Sequence, residues 1–440
     1  MCRSRFHDLL RRRGLLELRE PNKQNNQGPP MSRIHNIPLL LLVVIAAALA
    51  IIFWFLGFSW LAADIAPGGT YLLKSIAGLA KDALFVPLKP LMYALIILSI
   101  GSSLAISTGG LGAKFARVLG FFVGFSLLGM LCGIIAFSLF KGIDIGLADP
   151  ANSAGDGDMT ELPFLAKIYG VLTSALMISI YTGLIFGAAL KRLDLGRQAD
   201  QISDLFIAGF RKFLQYTIPL AVFGSITLAL NKEDDFGQLL KLFNLLIPYL
   251  FAMGLIWGIM VFVTARIQKR GIGFVLRAIL PQALVALSTS SSIATLTATR
   301  EACSELGANA DEATPFYTIG ATINMVGTLI GLLLLSLFTM QAFGLSTGIA
   351  DMLTVGLQSM IFATAAAGTP SASIVLLEDI LVSQGVSAEY ATYVTGIIIT
   401  VDTLILDRLR TALNTQSDSM STANGLKLYY KKPGILADEA

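Results

Sequence analysis

Charge is what this chain has least of. Asp, Glu, Lys and Arg make up 14 % of its 440 residues, against 55 % hydrophobic residues, whereas soluble domains carry about 25 % charged residues. A water-soluble fold is thereby excluded for most of its length. The 32 Lys and Arg nearly balance the 29 Asp and Glu, and the formal charge of +3 excludes a nucleic-acid binder built on a basic face. Histidine is rarer still. His7 and His35 both precede the first apolar run, so imidazole cannot act within the membrane as base, proton relay or metal ligand. Three cysteines, Cys2, Cys132 and Cys303, supply neither a disulfide framework nor a paired metal motif.

What the chain has instead is length without charge. Stretches free of Asp, Glu, Lys and Arg run over 37–63, 91–113, 118–140, 168–190, 213–231, 242–265, 278–299, 313–350, 352–377 and 390–401. A spanning helix needs about 20 apolar residues, and the first six stretches read as ordinary spans. The others depart in length or composition. Residues 288–299 carry a hydroxyl at eight of twelve positions, which a lipid-facing helix cannot use. Within 352–377, Gly368 and Pro370 break the helical pattern at membrane depth. Such backbone is tolerated only where protein or a water-filled cavity satisfies its polar groups. Two interrupted hydrophobic segments in the C-terminal half point to re-entrant hairpins around a transport site.

Loop charge sets the expected orientation. Eight Lys and Arg lie in residues 1–36, and further basic clusters follow the second, fourth and sixth stretches: Lys114 and Arg117, then Lys191 to Lys212, then Arg266 to Arg277. Those sides read as cytoplasmic. The connection over 141–167, with Asp144, Asp149, Asp156, Asp158 and Glu161, suits the outside. Residues 1–36 read as a disordered N-terminal extension, with Met31 a second candidate start, and 425–440 as a cytoplasmic tail. The expectation is a multi-pass protein of a bacterial inner membrane with both termini in the cytoplasm.

Ionisable groups inside a span are costly and therefore functional candidates. Taking Asp407 as origin and about 100° per residue, Arg410, Thr411, Asn414 and Asp418 join it on a stripe about 100° wide, with Asp402 on the far side at about 220°. The stripe offers a carboxylate for an ammonium, a guanidinium for a carboxylate, and oxygens for a hard cation. The competing reading is an internal Asp407 to Arg410 salt bridge that merely neutralises both charges. Upstream, Asn324 and Gly327 interrupt the 313–350 stretch, and an unwound helix there would expose carbonyls for a cation. Taken alone, an Asn-x-x-Gly is more often a packing kink. Glu378 and Asp379 read as a water-exposed arm of the second hairpin, and Cys132 as a core filler.

Four motifs in order, 289–296, 320–328, Gly368-Thr369-Pro370 and 407–414 with Asp418, resemble the dicarboxylate/amino acid:cation symporter family, the glutamate transporter fold, over roughly residues 39–424. The resemblance implies an all-α membrane protein of eight transmembrane helices plus two re-entrant helical hairpins, working as an elevator in a homotrimer. Residues 37–107 and 162–231 would form the scaffold. Residues 112–140 and 235–424 would form the transport domain, with hairpin one at about 273–306 and the gating hairpin two at about 346–384.

Carried over by position, Arg410 would hold a substrate side-chain carboxylate, Asp407 its amino group and Asn414 its α-carboxylate. Thr328, Thr411, Ser290, Ser292, Thr369 and Ser373 would add contacts. Arg410 and Asp407 together favour aspartate or glutamate as substrate. Sodium is expected as a co-transported ion, with no resident cofactor: one site from Gly320, Asn324, Asn414 and Asp418, a second drawing on Thr322, where Ala366 stands in place of the usual hairpin threonine. A third site is lost, because Val326 replaces a carboxylate and Phe122, Phe125 and Ser126 stand where its partners would be. Fewer sodium ions per substrate than in three-sodium relatives is the consequence expected from the cost of burying polar groups with no ion to satisfy them.

The alternatives are a proton- or sodium-coupled carrier of C4-dicarboxylates or neutral amino acids, an intramembrane protease, and a channel. The protease reading lacks a membrane histidine for a serine mechanism and has Asp402 and Asp407 on opposite faces of one helix. Dense charged groups at one depth favour binding over permeation. The chain is thus expected not to be an enzyme, and its partners are a small-molecule amino acid or dicarboxylate, the lipid bilayer and copies of itself.

Overall fold

A computed structural model describes residues 39–55, 70–106, 112–147, 163–233, 236–366 and 373–430. The N-terminal extension, the acidic loop over 148–162 and Thr369 lie outside them. Among the described residues the secondary structure is helical, with no β-strand, as a lipid environment without water for backbone groups requires.

In chain order the helices are α1 (Leu39–Phe55), α2 (Thr70–Ile106), α3 (Gly112–Phe140), α4 (Phe164–Leu172), α5 (Ala175–Arg192), α6 (Gly196–Glu233), α7 (Phe236–Lys241), α8 (Leu246–Gln268), α9 (Ile272–Thr289), α10 (Leu296–Glu305), α11 (Ala310–Ile323), α12 (Val326–Ala342), α13 (Ile349–Ala363), α14 (Ser373–Ser383), α15 (Ala388–Val401) and α16 (Asp407–Tyr430). A 3₁₀ turn, Leu242–Leu245, leads into α8, and a π-helical turn, Asp402–Leu406, joins α15 to α16. Five segments among the described residues are long and apolar enough to cross a membrane: α3, Leu242–Gln268, α9, Ala310–Ala342 and Tyr390–Tyr430.

Two sets of helices emerge from the packing. In one, α2 lies along α5 and α6, with α1 on α6. In the other, α16 is the axle, touching α3, α8, α9, α10, α11 and α12. Helix α15 joins the sets by packing on α6, and α4 does so by touching α13 and α14.

The fourth stretch departs from the expectation of one ordinary span. It is two helices, because Ser174 leaves the helical region and its side chain accepts the Met177 N–H at 3.3 Å to start α5. Helix α16 also runs six residues into the expected tail, and Gly425 and Leu426 are buried.

Helix α16 is polar yet almost wholly buried, so its side chains must find partners inside the protein. Gln282 of α9 donates to Thr415 O at 2.6 Å and Thr299 Oγ1 at 2.8 Å, and accepts from Ser419 Oγ at 2.9 Å. Trp257 of α8 donates to Gln416 Oε1 at 2.9 Å, and Asn424 donates to Thr264 Oγ1 at 2.9 Å. These bonds fix α8, α9 and α10 against the axle.

Candidate substrate and cation site

The site begins with a break. Helix α11 ends at Ile323, Asn324 (φ −96°, ψ 74°) and Met325 (φ −106°, ψ 53°) leave helical geometry, and α12 starts at Val326. This is the interruption expected at Asn324 and Gly327. The first N–H groups of a new helix lack partners within it, and Asn414 supplies one from across the site. Its Oδ1 accepts from Gly327 N at 2.7 Å and Thr328 N at 3.4 Å, while its Nδ2 donates to Thr328 Oγ1 at 3.0 Å. The helices approach closely there, since a Cβ on Gly327 would stand 2.5 Å from Arg410 O.

One turn along α16, Asp418 is 1 % exposed. It accepts from Asn324 Nδ2 at 2.9 Å, and among the described residues no Lys or Arg pairs with it. The Asn324 side-chain oxygen, Oδ1, is buried without a hydrogen-bond partner. Gly320 presses on the same carboxylate, for a Cβ there would lie 2.7 Å from Asp418 Oδ1. A buried carboxylate and an orphaned oxygen at one helix break are costly unless a cation joins them. Asp418, Asn324 and the Gly320 backbone therefore come together as expected. Thr322 does not join them by any observed bond; its hydroxyl donates to Ile319 O at 2.8 Å within α11.

The charged end of the stripe differs from the expectation. Asp402 is not on the far side of the helix. The Asp407 N–H bonds to Asp402 O across the π turn, and this five-residue turn brings Asp402 round to the Asp407 side, where constant α-helical spacing puts it opposite. Arg410 thus meets two carboxylates. Its Nη1 lies 2.7 Å from Asp402 Oδ1, and its Nη2 donates to Asp402 Oδ2 at 3.0 Å and Asp407 Oδ1 at 2.9 Å. The Arg410 and Asp402 side chains are 1 % and 0 % exposed, and Asp407 is 9 % exposed. Thr411 donates to Asp407 O at 2.8 Å.

Helix α9 ends at Ser290, a left-handed residue (φ 51°). Arg408 donates from Nη1 to Leu287 O at 2.7 Å and Ser288 O at 3.1 Å, placing its charge on the negative end of that helix. Ser290 and Ser292 are buried in the turn between α9 and α10. Ser373, at the start of α14, is buried with its hydroxyl unpartnered. Glu378 is not in water: it is buried and accepts from Thr392 Oγ1 at 2.8 Å, while Asp379 accepts from Tyr93 of α2 at 3.1 Å. Ala366 is buried beyond the end of α13.

Around Val326, side chains pack closely. Val326 is 0 % exposed, and its Cγ1 lies 2.9 Å from where Gly129 would carry a Cβ. Phe122, Phe125 and Ser126 are buried on the same helix as Gly129. Gln282 and Tyr249 were not marked by the sequence reading; the signal available was one polar side chain with apolar residues at the four positions on either side.

A helix broken at Asn324 and Met325 beside a buried stripe carrying Asp407, Arg410, Asn414 and Asp418 is the arrangement of a secondary transporter. Residues 39–424 match the sodium:dicarboxylate symporter family, and the chain belongs to it. It is similar to the serine/threonine transporter SstT of Bifidobacterium adolescentis, 24 % identical over 387 residues covering 81 % of this chain and 89 % of that one. The SstT protein of Acinetobacter baumannii strain AYE is 27 % identical over 353 residues, covering 76 % of this chain and 86 % of its own.

Proposed function

We propose that this multi-pass membrane protein takes up a small neutral amino acid of the serine and threonine class together with sodium. The observation that carries the reading is the pairing of Arg410 with two buried carboxylates. One guanidinium faces two carboxylates, so its charge is already matched without an acidic substrate side chain. Within that trio a substrate ammonium is drawn to the carboxylates, whereas a second substrate carboxylate competes with Asp402 and Asp407 for the same guanidinium. The reading of aspartate or glutamate as substrate gives way on this ground, and a plain dicarboxylate fits still less well beside Asp407. The names of the similar transporters agree with the neutral reading.

In the proposed cycle, Asp407 receives the substrate ammonium, and the Asn414 amide with Thr328, Thr411 and the hairpin hydroxyls Ser290, Ser292, Thr369 and Ser373 receives the α-carboxylate and hydroxyl. Sodium joins Asp418, Asn324 and the Gly320 carbonyl, with Thr322 and Asn414 as further ligands once substrate rearranges the break. Cation and substrate are coupled because Asn324 and Asn414 flank the same interruption, so ordering one orders the other. The division of helices around α2 and around α16 supports an elevator with hairpin two, about 346–384, as gate, in a homotrimer. The apolar filling around Val326 supports fewer than three sodium ions per substrate.

Proteoliposomes with an inward sodium gradient test this. They should accumulate radiolabelled serine, with threonine competing well and aspartate and succinate poorly. Asp402→Asn, which releases Arg410 from one partner, should raise competition by aspartate. Equal competition by aspartate and threonine in the wild type would overturn the neutral reading.

A further inference from the structure

Arg410 is held by more than its two carboxylates. Gly331 of α12 faces it, and a Cβ on that glycine would stand 2.7 Å from Arg410 Cδ, 3.3 Å from Nη1 and 2.4 Å from the Tyr249 hydroxyl. Both Arg410 and Tyr249 are fully buried. Glycine is therefore needed for the arginine stem and the tyrosine to share one notch in the α12 surface. The tyrosine belongs to α8, a helix that packs on both α12 and α16, and its ring lies within the core.

We infer that the Gly331 and Tyr249 notch is a specificity determinant: it seats Arg410 deep beside Asp402 and so hides its charge from the substrate. This inference rests on the neutral-substrate reading and deepens it. Without the notch the arginine is the part that yields. Its stem has four rotatable bonds, whereas the Tyr249 ring is packed on all sides and the Gly331 backbone lies in a helix with buried neighbours at Ile330 and Leu332. A methyl at 331 thus lifts the guanidinium out of reach of Asp402, and a cation appears where an acidic substrate side chain can meet it. Gly331 and Tyr249 are positioning residues: they touch Arg410 and act through it.

The test uses the full-length chain with and without Gly331→Ala, in two assays. In the first, the purified protein is treated with phenylglyoxal, and Arg410 modification is read by mass spectrometry of its peptide. In the second, competition of serine uptake by aspartate is measured in proteoliposomes. Wild-type Arg410 should resist the reagent, and Gly331→Ala should make it reactive and raise the apparent affinity for aspartate relative to serine by about tenfold, the scale of one charged contact. Adding Tyr249→Phe to Gly331→Ala removes the competing hydroxyl and should recover part of the wild-type ratio, which a general loss of folding would not do. Unchanged reactivity in Gly331→Ala, or exposed arginine with an unchanged ratio, overturns the inference. Failure of the neutral-substrate reading appears separately, as strong aspartate competition in the wild type.

Discussion

In the proposed function, sodium dependence turns on Asp418. It is buried beside the unpartnered Asn324 Oδ1, with no cationic side chain paired to it among the described residues. A ligand that binds only the folded protein raises its stability by mass action, so sodium should raise the melting temperature of the wild type. Asp418→Asn should lose most of that rise and show an apparent sodium affinity at least about tenfold weaker, the scale of one charged ligand; thermal melts across a sodium series check both. The residues of this site were legible because intramembrane charge is so rare that a stripe of it stands out. Asp402 was misplaced because one π turn adds a residue to the pitch, and side-chain chemistry carries no mark of that insertion.

At the scale of elements, the break between α11 and α12 could be read from Asn324 and Gly327, since both weaken a helix and Asn can satisfy freed backbone groups. The break between α4 and α5 could not: Ser174 sits in an apolar run, and serine is common in membrane helices for other reasons. Gly327 supports a sharp prediction. Its missing Cβ lies 2.5 Å from Arg410 O, a backbone atom that cannot rotate away. Gly327→Ala should cost about 1–3 kcal/mol or more and abolish transport, measured by thermal unfolding and uptake.

A second prediction concerns the link from α4 to the start of α13. Lys167 Nζ lies 2.6 Å from Asp351 Oδ1, and Asp351 also accepts from Ser346 Oγ at 2.6 Å and Gly348 N at 3.1 Å. Lys167→Met should destabilise the protein by about 2 kcal/mol while leaving the serine to aspartate preference unchanged, since the pair is remote from the stripe in sequence and chemistry. Asp144, in the loop after α3, is held below the usual carboxylate range by a hydrogen bond from Lys241 and then by the Gly146 N–H. A depressed folded value means its contribution is present at neutral pH and disappears as pH falls through that value. Because the pair is exposed, Asp144→Asn should cost no more than about 1 kcal/mol, and only at the higher pH.

For the whole molecule, low charge announced a membrane protein, and the four ordered motifs announced its family, which the match over residues 39–424 bears out. Substrate class was less legible: in the proposed reading it depends on whether Arg410 is paired, and its second partner, Asp402, is brought beside it by a π turn that constant helical spacing does not show. The packed Val326 region bears on energetics at this scale. A reversal potential in proteoliposomes should report fewer than three sodium ions per substrate, and three would contradict the filled site.

In the proposed function, the charge pairing of Arg410 makes the carrier selective for neutral amino acids. Calorimetric titration of the purified protein with serine and with aspartate, each with and without sodium, tests this pairing. Sodium-dependent binding of serine at least about tenfold tighter than that of aspartate is the expected result. Aspartate binding as tight as serine, or tighter, would contradict it.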